Sequence, residues 1–174
     1  QRLALVLVTI GLSLHGAHAA QPEEWASTWA ASPEPPIPGA LDHYQTQTLR
    51  LIVHVSASGS RVCILLSNLY GDVPLTIGAA HIARRMSEAD IDPASDRTLT
   101  FDGKTSIVIP AHATVLSDPV DLEIPALADL SVSLYLPKSV AATTVHILAQ
   151  QTSYVSRPGN FTAAAHFPVA RHID

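Results

Sequence analysis

The stretch Thr48–Gly71, TLRLIVHVSASGSRVCILLSNLYG, decides how the fold is read. In its first half Leu49, Leu51, Val53 and Val55 alternate with Arg50, His54 and Ser56, the period of a strand with one face against a core. In its second half Val62, Ile64 and Leu66 alternate with Arg61, Cys63, Leu65 and Ser67. Ser58-Gly59-Ser60 between the halves has the backbone freedom for a tight reversal, so the whole stretch predicts a β-hairpin.

Further along, TLTFDGKTSIVIP (98–110) holds Asp102-Gly103, the pair that suits a type I′ turn because both central residues need positive φ. LSVSLYL (130–136) alternates again, with Leu130, Val132, Leu134 and Leu136 on its core side. Val115–Ile124 and Thr143–Val155 read as further strand regions, and Pro119, Pro125, Pro137 and Arg157-Pro158-Gly159-Asn160 as turns. Met86–Arg97, polar and acidic with Pro93, reads as a surface loop. About eight short strands without an amphipathic helix predict an all-β fold, an antiparallel β-sandwich, jelly-roll-like. Leu49, Val53, Val62, Ile64, Val132 and Leu134 should then share one core.

Composition agrees. Charged residues make up only 14% of the 174, beside 13 prolines and 8 glycines, which suits strands and rigid turns better than charged helix surfaces. A net charge of −5, with Arg84-Arg85 the one adjacent basic pair, excludes a phosphate-tracking stripe and hence a nucleic-acid partner.

The amino terminus points outward from the cell. Leu3–Leu14 is an apolar run of 12 residues followed by Ala17-His18-Ala19, a small-x-small cleavage pattern. Twelve helical residues cover about 18 Å against a hydrocarbon core of ~30 Å. Residues 1–19 are therefore read as an incomplete signal peptide, with a secreted or periplasmic location and no permanent membrane anchor. Residues 20–47 read as a Trp/Pro-rich arm, 48–165 as the sandwich and 166–174 as the start of a linker. Cys63 is the single cysteine, so no intrachain disulfide forms, and it reads as a small strand hydrophobe.

Chemical motifs are sparse. Tyr70-Gly71-Asp72-Val73 puts valine where a nucleophile elbow needs serine. The nine histidines lack metal-ligand spacing, with His54 and His146 placed in strands. Glu88, Asp90, Asp92 and Asp96 lack the glycine and closing glutamate of a calcium loop. No cofactor is expected. The aromatic and polar residues near the chain ends, Trp25, Trp29, Tyr154 and Asn160, are the candidate contacts. They serve either an inter-domain interface or, as the competing use of the same rings, a sugar-binding surface.

Five strings, WASTWAASPEP, TLRLIVHVS, SRVCILLSNLYGDVPLTIGAAHIA, LTFDGKTSIVIPAHATVLSDPVDLEIPALADLSVSLYLP and QTSYVSRPGNFTA, cover most of residues 25–163. As a set they resemble the amino-terminal portion of bacterial extracytoplasmic SGNH hydrolases, also called GDSL-type lipases or esterases. The resemblance implies a β-sandwich placed before an α/β hydrolase domain that carries the Gly-Asp-Ser block, the oxyanion Gly and Asn, and the Asp-x-x-His pair. None of those blocks maps onto this sequence, so the resemblance implies a non-catalytic front domain whose partner is its own downstream hydrolase domain. The substrate would be a polysaccharide or lipid ester. A stand-alone extracellular carbohydrate-binding or structural sandwich is the alternative.

Overall fold

The computed structural model describes residues 24–39, 41–146 and 149–173, so the expected signal peptide lies outside the described residues. The chain is an antiparallel all-β sandwich. Its fifteen strands among the described residues are β1 (His43–Tyr44), β2 (Gln47–His54), β3 (Gly59–Val62), β4 (Leu65–Ser67), β5 (Leu75–Ile77), β6 (Ala79–Ser87), β7 (Asp90–Ile91), β8 (Arg97–Thr98), β9 (Ile107–Ile109), β10 (Thr114–Leu116), β11 (Val120–Ile124), β12 (Asp129–Leu136), β13 (Val140–Ala141), β14 (Ser153–Pro158) and β15 (Val169–Ile173). The main sheet runs β15-β14-β2-β12-β6-β7, with β8 also on β6. The ribbons β3–β11, β4–β10 and β5–β9 contribute the residues that meet its inner face, and β1–β13 is a small separate ribbon.

Register explains the core. Leu134 stands between Leu49 and Ala80, and Val132 between Leu51 and Ile82, so the apolar parity of three adjacent strands falls on one face. Leu49, Val53, Val62, Ile64, Val132 and Leu134 all belong to that one cluster, as the alternation predicts. Val53→Ala is expected to cost about 1–3 kcal/mol through lost burial and a residual cavity. Denaturant midpoints unchanged in both Val53→Ala and Ile64→Ala would show that these faces do not meet in the core.

The expected Thr48–Gly71 hairpin does not form. Both edges of β2 are taken, by β12 and β14, while β3 pairs with β11. Gly59 has no positive φ, so Ser58-Gly59-Ser60 carries the chain from the main sheet to the opposite layer instead of reversing it. Alternation fixes which face a side chain takes, but it does not name the neighbouring strand. The Asp102-Gly103 turn does form, with φ of 52° and 72° and paired bonds between Phe101 and Lys104. Beyond it the strands diverge, β8 to β6 and β9 to β5. The Asp118 carboxylate caps that turn, accepting from Thr100 Oγ1 at 2.6 Å and from the Gly103 amide at 2.8 Å.

The second face of the main sheet is also covered. Arg50, on the parity opposite to the core, is 0% exposed. Its guanidinium donates to Ser133 Oγ at 2.9 Å and to the carbonyls of Ala89 at 2.7 Å, Thr162 at 3.1 Å and Ala164 at 3.0 Å. Phe167 lies under it at 4.4 Å and joins Ile52, Ala89 and Tyr154 in a second apolar cluster. Two expectations change accordingly. Residues 88–96 hold a strand, a 3-10 turn at Pro93–Ser95 and the buried Ala89 and Ile91, so they are not simply a surface loop. Residues 166–174, expected as a linker, contribute Phe167 and the edge strand β15. Among the described residues of Thr143–Val155, only Ser153 onward lies in a strand of three or more residues, and His146 lies in a loop outside any strand.

Candidate functional site

The arm between Glu24 and Ser32 has no regular structure, yet Thr28 fixes its middle to the sandwich. The Thr28 carbonyl accepts from the Ser56 amide at 3.0 Å and from its hydroxyl at 2.9 Å, and the Thr28 hydroxyl accepts from the Ala57 amide at 2.8 Å. Trp25 and Trp29 on either side of this anchor are 48% and 45% exposed, and both line a groove of about 670 Å³. The facing wall is Ser58–Cys63 with Leu65 and Leu116, a cross-strand pair of β4 and β10. Arg61 places its guanidinium 5.8 Å from the Trp25 ring centroid and its Nε 3.2 Å from the Asp121 carboxylate.

Tyr154 and Asn160 lie elsewhere. Tyr154 is 5% exposed in the second cluster, its ring edge-on to His172 at 5.3 Å and its hydroxyl accepting from Arg85 at 3.4 Å. Asn160 is exposed, and its Oδ1 accepts from both the amide and the hydroxyl of Thr162 in an Asx-type turn. The four residues therefore do not form one surface. Sequence proximity to the chain ends suggested a common place, whereas strand parity sends Tyr154 inward under the carboxy-terminal loop.

Sequence reasoning missed the pairing of histidines with carboxylates. His54 meets Asp129 at 2.8 Å, His81 meets Asp96 at 2.9 Å, and His166 meets Asp90 at 2.8 Å. These partners are 75, 15 and 76 positions apart, so spacing within one element could not reveal them. The hydrogen bond from His166 holds the Asp90 carboxyl below its ordinary range. Burial pushes Asp129 up, but the bonds from His54 and Arg85 outweigh it and the net shift is downward. Asp96, His81 and Thr98 stand in carboxylate–imidazole–hydroxyl order, with Thr98 Oγ1 3.4 Å from His81 Nε2. His81 and Thr98 are direct cross-strand partners, and the contact staples the two-residue β8 to β6. Asp92 caps the 3-10 turn and pairs with Arg84 at 2.7 Å. Among the described residues no three metal-ligating side chains come together.

No protein-family model matches the chain, and no curated protein matches it. The groove between the tryptophan arm and the β3–β4 segment is thus the candidate site on its own geometry: rigidly backed, half-exposed and aromatic.

Proposed function

We propose that the chain is the non-catalytic front domain of an exported SGNH, or GDSL-type, carboxylic-ester hydrolase acting on a polysaccharide or lipid ester. The observation that carries this reading is where the resembling strings go. TLRLIVHVS, LADLSVSLYLP and QTSYVSRPGNFTA supply β2, β12 and β14, three adjacent strands of one sheet, and WASTWAASPEP is the arm anchored to the end of β2. Strings that are weak singly thus belong to one sandwich core, the architecture that the resemblance implies for this portion. The sandwich acts as a rigid carrier of the tryptophan groove beside the hydrolase. Export follows from the apolar run and cleavage pattern in residues 1–19.

Reading the coding sequence past Asp174 tests the proposal. A Gly-Asp-Ser block within a few tens of codons, with an Asp-x-x-His pair further on, is the expected result. A stop codon there overturns it and leaves a stand-alone binding sandwich, the reading that the half-exposed groove favours on its own.

A further inference from the structure

We infer that the Trp25–Trp29 groove is a binding site for a chain of neutral sugars. The inference rests on the domain acting outside the cell beside a polysaccharide-directed hydrolase, and it names what the groove would hold.

Indole rings are large apolar surfaces that folding ordinarily buries. Here the chain's two tryptophans stand half-exposed along the same groove. The arm that carries them is held by both the carbonyl and the hydroxyl of Thr28, so the backbone between the rings is fixed to the sandwich before any ligand arrives and its ordering costs little on binding. Trp25 and Trp29 flank the Thr28 anchor in the chain and both line the groove, within the span of at most about 14 Å that four residues can reach. That arrangement suits a ligand several rings long, each sugar laying its C–H face on an indole.

The rim supplies matching polar groups. Ser27, Ser58 and Ser60 are exposed, and a hydroxyl both donates and accepts, as sugar hydroxyls require. The groove is of the size that small ligands occupy, about 300–1,000 Å³. Charge selects among ligands. Glu24 and Arg61 line the groove with opposite signs, and Arg61 is engaged by Asp121, so no cationic surplus exists for phosphates, uronates or an anionic lipid surface. The net charge of −5 repels such ligands further. A neutral glycan meets neither obstacle.

The test uses intrinsic fluorescence, because Trp25 and Trp29 are the chain's two tryptophans and both report from the groove. The purified chain is titrated with cellohexaose, xylohexaose, mannohexaose, chitohexaose and, as the charged control, hexagalacturonate. A saturable change with at least one neutral hexasaccharide and none with hexagalacturonate is expected. Trp25→Ala and Trp29→Ala should each weaken binding about tenfold, read by calorimetry, with only a small shift in circular-dichroism melting because the rings are half-exposed and lie outside both core clusters. Trp25→Phe, which keeps a ring, should recover part of the affinity and serves if the alanine variant fails to fold. Silence toward all neutral hexasaccharides overturns the inference, as does binding indifferent to both tryptophans. Self-association abolished by Leu65→Ser with no glycan response would assign the groove to a second copy and also overturns it. A Gly-Asp-Ser block downstream with no glycan binding would remove the inference alone and leave the proposed function standing.

Discussion

Replacing Arg50 with methionine is expected to lower the unfolding free energy by about 3–5 kcal/mol, read as a fall in the urea midpoint at unchanged slope. The guanidinium is fully buried, and its hydrogen bonds go to Ser133 and to the backbone carbonyls of Ala89, Phe161, Thr162 and Ala164. None of those partners is a carboxylate. Burial is unfavourable to the charge and pushes the group down to about 10 against the smaller opposing pull of the Asp96 and Asp90 charges, so it stays protonated at neutral pH. Because the folded value is the depressed one, the unfolded chain holds the proton more tightly above about pH 10, and deprotonation of the folded chain there favours the folded state. At neutral pH the residue is charged in both states and adds no pH dependence.

The decisive quantity is therefore what methionine leaves behind. Replacing a whole buried polar network by apolar groups is often tolerated, but removing the one donor strands several acceptors that cannot be mutated away. Methionine fills the volume and makes no hydrogen bond, so the carbonyl-rich loop at Phe161–Ala164 loses the group around which it is wrapped. Arg50→Lys should fall between, since an ammonium has fewer donors and cannot span Ser133, Ala89 and the loop together. A loss under about 1 kcal/mol for Arg50→Met would mean that the loop closes without the guanidinium and that the second cluster is held by Phe167 and Tyr154 alone.

The contrast between the two faces of β2 shows what sequence could and could not reveal. Leu49, Leu51 and Val53 declare the inner face by alternation, and the partners Leu134, Val132 and Leu130 do the same on β12. The class and the core were legible because period 2 is a local signal. The outer face looked solvent-bound because Arg50 and His54 stand in it. What buries Arg50 is a segment more than a hundred positions away, held by main-chain carbonyls that any sequence possesses. The available hints were Ile52 amid that polar row and the small residues Ser131 and Ser133 opposite it, which are buried in the structure. The tryptophans were legible as a pair for a similar reason, being four residues apart on one arm. Grouping them with Tyr154 and Asn160 required knowing which strand edge each one meets, and that depends on long-range pairing.

Ending the chain at Ala165 is expected to do still more damage than Arg50→Met, and the reason lies in four separate losses. Phe167 packs in the second cluster beneath the Arg50 guanidinium, and deleting a buried phenylalanine side chain alone costs about 3–5 kcal/mol. Asp90 loses the His166 ring and the Phe167 amide, the two hydrogen-bond donors that help hold its carboxyl below the ordinary range in the folded state. The sheet loses β15, which pairs Ile173 with Ser153, His172 with Tyr154 and Arg171 with Val155, so β14 becomes an unpaired edge open to association with other chains. Arg171 also leaves its 3.1 Å contact with Asp42, which ties the arm to that edge. Against a typical total of about 5–15 kcal/mol, the shortened chain should unfold at a much lower urea concentration and aggregate on concentration. Phe167→Ala in the full chain separates the terms: it should reproduce the packing loss while β14 stays covered and aggregation on concentration does not rise. If the chain ending at Ala165 kept its midpoint within about 0.5 kcal/mol of the full chain, residues 166–173 would be a linker after all. The sandwich would then be complete at β14, and the contacts of Arg50 with Phe161–Ala164 would have to hold the loop with neither Phe167 nor β15 packed against it.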